Sequence, residues 1–182
     1  MTRRTTRRTT RRTLAFRLVG VGFAVVAAAV AALAAAGPGQ ASETRTIIGS
    51  SLVNDGALAL GRGKIAKAID LTRRALDSGD LKPHDIAVAH SNLCAAFEAL
   101  RAFQIALDHC TRAIDINGRN WRFYNNRGTA RLGLGDVAGA LVDYEKAKTL
   151  NPYHPIIDRN LAIALDRLEA GDTAPMVRER DT

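Results

Sequence analysis

Small residues return along this chain at a fixed interval, and that recurrence limits the fold more than any other feature. In residues 121–154, Gly128, Gly135, Ala140, Ala147 and Pro152 stand at positions 8, 15, 20, 27 and 32 of a 34-residue unit, with Tyr144 at position 24. One unit earlier, residues 87–120 place Ala106 and Ala113 at positions 20 and 27 and keep Leu93, Phe97 and Ile114 apolar. A first unit, 49–82, has Gly56 and Gly63 at positions 8 and 15 and Ala68 and Ala75 at 20 and 27; a four-residue insertion, Leu81-Lys82-Pro83-His84, offsets it from the second. A repeat of this length is a unit that cannot bury its apolar face alone and must stack on its neighbours. Small residues at positions 8, 20 and 27 let two antiparallel helices approach closely. Glycine at 15 supplies a helix-ending backbone that a Cβ resists, and proline at 32 stops the second helix. The second unit departs from this pattern, with Cys94 at 8, Arg101 at 15 and Gly118 at 32.

Together these residues resemble the tetratricopeptide repeat (TPR) family over about residues 47–168. The resemblance implies an all-α fold: a right-handed α-solenoid of about three helix pairs (49–82, 87–120 and 121–154) and a C-terminal capping helix over 155–169. Ile157, Leu161, Leu165 and Leu168 give that last helix its apolar stripe, and Asp158, Arg159, Asp166 and Arg167 suit its solvent face. Composition agrees. Aromatic residues are only 5% of the chain, too few for a sheet-rich core but ample for close-packed helices.

The first 41 residues read as an address. Residues 1–13 are TTRR units; Leu18 to Ala36 carries no charge, and Gly37-Pro38-Gly39 ends the run. A basic start, an apolar stretch and small residues describe an exported protein's signal peptide, cleaved before Ser42 or before Gly37. An uncleaved membrane anchor through residues 18–36 is the other reading. Both place the folded part in the periplasm or another extracytoplasmic space. Residues 42–48 read as a short linker, and residues 171–182, polar with one proline, as a disordered tail. Seven of the 26 basic residues fall before Leu18, while every acidic residue lies at Glu43 or later. From residue 42 onward 19 basic residues face 18 acidic ones, so the mature part gives a nucleic-acid partner no support.

Within such a solenoid the first helix of each pair lines the concave face. Position 6 of those helices reads Asn54, Asn92, Asn126 and Asn160. Asparagine is a poor mid-helix residue, and its amide offers both a donor and an acceptor to an extended peptide. The row resembles the asparagine ladder of the O-GlcNAc transferase repeat domain; solvated family asparagines are the plainer reading. Ser91, Arg122, Asn125 and Arg159 (with Thr129) lie around it. Arg122 and Asn126 also resemble half of the carboxylate clamp of chaperone-binding TPR domains, but Val53 and Ala57 stand where the clamp has Lys and Asn. The expected partner is therefore a protein or an extended peptide segment, held by a partly basic groove. A structural subunit of an envelope complex is the alternative.

Cys94 and Cys110, at positions 8 and 24 of one unit, point into the same helix contact and make a disulfide possible; two buried thiols are the alternative. His90, Cys94 and Cys110 can be drawn as a metal set, but they lack a fourth ligand and a CxxC spacing. We expect no metal, no cofactor and no enzyme activity. The chain has no GxSxG, HExxH or phosphate-binding loop, and the acids Asp143 and Glu145 read as a solvated helix face.

Overall fold

The computed structural model describes residues 38–176. Of the expected signal or anchor segment, residues 1–41, residues 1–37 lie outside the described residues, as do residues 177–182. Among the described residues seven helices follow one another: α1 (Pro38–Gly61), α2 (Ile65–Asp77), α3 (Pro83–Ala99), α4 (Phe103–Ile116), α5 (Trp121–Gly133), α6 (Val137–Leu150) and α7 (Pro155–Glu169). There is no strand among the described residues, and no helix there is long and apolar enough to cross a membrane. The fold is an α-solenoid. α3 packs on α4 and α5 on α6 within a pair; α2 meets α3, α4 meets α5 and α6 meets α7 between pairs; and α3, α5 and α7 touch along one side.

The repeat positions explain the packing. Alanines at 20 and 27 (Ala68 and Ala75, Ala106 and Ala113, Ala140 and Ala147) are all buried to 1% exposure or less, so the helices meet over methyl groups. At position 15 the chain turns through the left-handed region in all three pairs, at Gly63 (φ 69°), Arg101 (φ 59°) and Gly135 (φ 87°). The second unit thus keeps the turn without the glycine, at a strain of about 1 kcal/mol. Asn120 and Asp136 cap α5 and α6 through their side chains, accepting from the backbone N–H of Arg122 and Gly139.

Two expectations change. The linker at 42–48 is helical and forms part of α1. Thr46 and Ser50 anchor this stretch, donating to Asp80 O (2.8 Å) and Asp85 Oδ2 (2.7 Å). The tail also differs from a disordered segment as far as residue 176. Arg167 bonds Asp172 Oδ2 (3.0 Å), Ala174 O (2.6 Å) and Leu132 O (2.9 Å). Met176 donates its N–H to Gly133 O and packs beside Leu132, Val137 and Ala164, while Arg101 donates to Met176 O.

Candidate functional site

The first helices of the pairs and α7 stand side by side, and three of their four position-6 asparagines are stitched into a line. Asn92 Nδ2 donates to Val53 O (3.0 Å), Asn126 Nδ2 to Ser91 Oγ (3.3 Å) and Asn160 Nδ2 to Asn125 Oδ1 (3.0 Å). Each bond runs from position 6 of one unit to position 5 of the unit before. The regularity follows from the repeat: the same offset brings the same pair of positions together at each step.

This geometry sorts the residues singled out from the sequence. Asn54 is exposed, and Asn92, Asn126 and Asn160 are half-buried with one amide hydrogen committed to the preceding helix. Ser91 and Asn125 are buried, at 7% exposure each, and serve as receiving ends of the line. Their expected place on the open groove is corrected accordingly. Thr129 donates to Asn125 O within its own helix (3.1 Å). Arg122 and Arg159 are exposed. The Arg122 guanidinium lies 4.8 Å from the centre of the Trp121 ring, which in turn meets the His154 ring at 4.1 Å. That stack holds a cation at the N-terminal end of α5 by contact with an aromatic face. Val53, at the place of a clamp lysine, is buried, and Ala57 is exposed. The first pair therefore supplies no cation from these two positions.

Behind the groove the third pair has a polar interior. Asp143 is 1% exposed and receives two bonds from Arg127 (2.9 and 2.7 Å) and one from Arg131 (2.9 Å). The sequence reading of Asp143 as a solvated acid is wrong; Glu145 is exposed as read. The cluster joins α5 to α6, and its two guanidiniums satisfy both carboxylate oxygens, as a buried charge requires.

In the second pair Cys94 and Cys110 are joined in a disulfide, with Cα atoms 5.3 Å apart, which removes both sulfurs from any metal set. Glu98 Oε1 lies 3.2 Å from Cys94 Sγ, and burial pushes the Glu98 carboxyl well above the usual carboxylate range. Beside the bridge, His90 and His109 face each other with Nδ1 atoms 3.1 Å apart. Burial lowers both imidazoles, His109 to about 4, with Arg112 also acting on each. No pairing of these histidines was visible in the sequence, because it depends on where two helices cross.

No protein-family model matches the chain. RNA polymerase II-associated protein 3 of Xenopus tropicalis is 36% identical over 89 residues, covering 49% of this chain and 13% of that protein. Heat shock protein STI1 of Saccharomyces cerevisiae is 35% identical over 85 residues, covering 47% of this chain and 14% of that protein. The similarity thus concerns one segment, a small part of each relative. Among solved structures, the first TPR of Spaghetti (RPAP3) bound to HSP90 peptide SRMEEVD superposes with a TM-score of 0.61 at 26% identity, covering 68% of this chain and 95% of that one.

Proposed function

Because the helical part of this chain has the fold of a tetratricopeptide-repeat domain, we propose that it is a non-catalytic adaptor that binds an extended peptide segment of a partner protein on the face shared by α1, α3, α5 and α7. The observation that carries this reading is the row of position-6 asparagines flanked by two exposed cations, Arg122 and Arg159. Each committed asparagine still offers its Oδ1 and a second N–H, the groups that pair with an extended backbone whatever its side chains. The two arginines favour a carboxylate, and the peptide in the similar Spaghetti domain is acidic. The two cations stand on α5 and α7, whereas the corresponding part of α1 offers Asn54 and Ala57. The ligand we infer is therefore an acidic segment whose carboxylate sits near Arg122 and Arg159, with less demand for charge farther along.

The basic, apolar leader in residues 1–41 supports a place of action outside the cytoplasm, reached by a cleaved signal or held by an anchor. A structural role within an envelope complex is favoured by one observation. Ile47, Ile48 and Leu58 on α1 are each more than half exposed, an apolar display unusual for a free surface.

The test uses a labelled acidic peptide with a free C-terminal carboxylate, its C-terminal amide, and fluorescence anisotropy. Arg122→Glu with Arg159→Glu, at unchanged helicity, weakens binding at least about tenfold if each lost charge pair is worth near 1 kcal/mol. Amidation weakens binding to the original chain and has little effect on the variant. An affinity indifferent to both changes moves the interface off this face.

A further inference from the structure

We propose that His90 and His109 form a two-histidine binding site for one divalent late transition ion of the copper or nickel class. His90 of α3 and His109 of α4 place their Nδ1 atoms 3.1 Å apart, with ring centroids 5.3 Å apart and planes inclined by 28°. The nitrogens are far closer than the ring centres, so the rings meet edge to edge through Nδ1. Imidazole binds such ions at about 2.0–2.1 Å, and two of these bonds at roughly a right angle separate their nitrogens by about 3 Å. The Nδ1–Nδ1 distance matches that bite, and because each Nδ1 points nearly along the line to the other, both rings turn on binding to bring their lone pairs onto one ion.

Binding balances without a redox step. In the ion-free pair one Nδ1 carries the proton and the other accepts it. When the ion enters, that proton moves to Nε2 of the same ring, both Nδ1 lone pairs turn to the metal, and each imidazole keeps its neutral charge. The rings are half-buried, which leaves one side for the ion and for the water molecules that complete its shell.

The surroundings fix the spacing in advance. His90 precedes Cys94 by one helical turn and His109 adjoins Cys110, so the disulfide clamps the two helices beside the pair. The Phe97 ring lies against His109 at 5.7 Å with planes 3° apart, and the Arg73 guanidinium lies 5.8 Å from the centre of that same Phe97 ring. The helix spacing that the pair depends on is therefore set before an ion arrives. The nearby charges then select the ion. Arg112 and Arg73 act on His109 against Asp108 alone, so an ion held chiefly by charge, such as magnesium or calcium, is disfavoured. Nitrogen ligands favour copper over nickel and zinc.

The test is Cu(II) added to the full-length, oxidised, untagged chain and followed by calorimetry and electron paramagnetic resonance. One ion per chain with nitrogen hyperfine structure is expected. His90→Asn and His109→Asn each weaken binding at least about tenfold, as expected when one of two ligands is lost, whereas His84→Asn and His154→Asn leave it unchanged. Arg112→Gln tightens binding several-fold by removing a repelling charge. Should the first two variants fold poorly, the original chain decides. Substoichiometric Cu(II) must broaden the ring proton resonances of His90 and His109 before those of His84 and His154. Broadening centred on either of those two, or binding that survives loss of His90 and His109, overturns the site.

Discussion

The second and third helix pairs close the same gap in opposite ways. In the third, Tyr144 fills the space between α5 and α6, is 1% exposed and donates to Thr129 Oγ1 at 3.2 Å. The opposite residue is Gly128, where an added Cβ would stand 2.6 Å from Tyr144 Cε1. In the second, two medium side chains occupy the equivalent positions, and Cys94 is bonded to Cys110. The flanking positions differ just as widely. Leu93, Phe97 and His109 stand in the second pair where Arg127, Arg131 and the buried Asp143 stand in the third. The solenoid asks each pair for a filled volume, and leaves open which chemistry supplies it.

The comparison breaks most readily at Tyr144. Tyr144→Ala empties the centre of the third pair and should cost about 4 kcal/mol, the range for truncating a buried aromatic. Urea unfolding of the domain measures it through the shift in midpoint. Opening the second pair is the matching experiment. Reduction, or Cys94→Ala with Cys110→Ala, should cost about 3 kcal/mol, because the bridge closes a loop of 16 residues' separation in the unfolded chain. If reduction costs less than about 1 kcal/mol, the bridge is incidental to a contact that packing alone secures, and the contrast between the pairs weakens. A smaller loss, about 2 kcal/mol, is expected for Gly128→Ala, since the Tyr144 ring must move to admit a methyl group. The same substitution combined with Tyr144→Ala should cost far less than the sum of the two, which a double-mutant cycle would show.

How far the chain could be read in advance follows from what spacing encodes. Ala106 and Ala113, or Gly135 and Pro152, reveal the helix pairs because each acts through its own backbone and its size. The line of asparagines was visible as a shared face, since recurrence every 34 residues places Asn92, Asn126 and Asn160 alike. Their bonds to Val53, Ser91 and Asn125 were not, because these depend on how one unit docks on the next. Asp143 was misread for a related reason. Its partners Arg127 and Arg131 lie 16 and 12 residues earlier on the opposing helix, beyond the reach of charge pairing along one helix. Arg101 is the instructive case between these. It breaks the glycine pattern at position 15, yet its backbone keeps the left-handed turn and its side chain holds Met176 O.

The first pair completes the comparison and gives its finest test. Gly56 and Thr72 occupy the positions that Gly128 and Tyr144 hold in the third pair, and a Cβ at Gly56 would run into Thr72 Oγ1. Thr72 is fully buried, and its hydroxyl oxygen has no hydrogen-bond partner. A tyrosine at this place reaches a threonine on the facing helix; a threonine fills less of the gap and brings a polar atom that nothing satisfies. Thr72→Val keeps the volume and the branched shape while removing that atom, so it should stabilise the domain by about 1 kcal/mol. The gain would appear as a higher urea midpoint with an unchanged slope. A loss instead would mean that the hydroxyl is satisfied in solution, and that the first and third pairs share one rule for their central polar atoms.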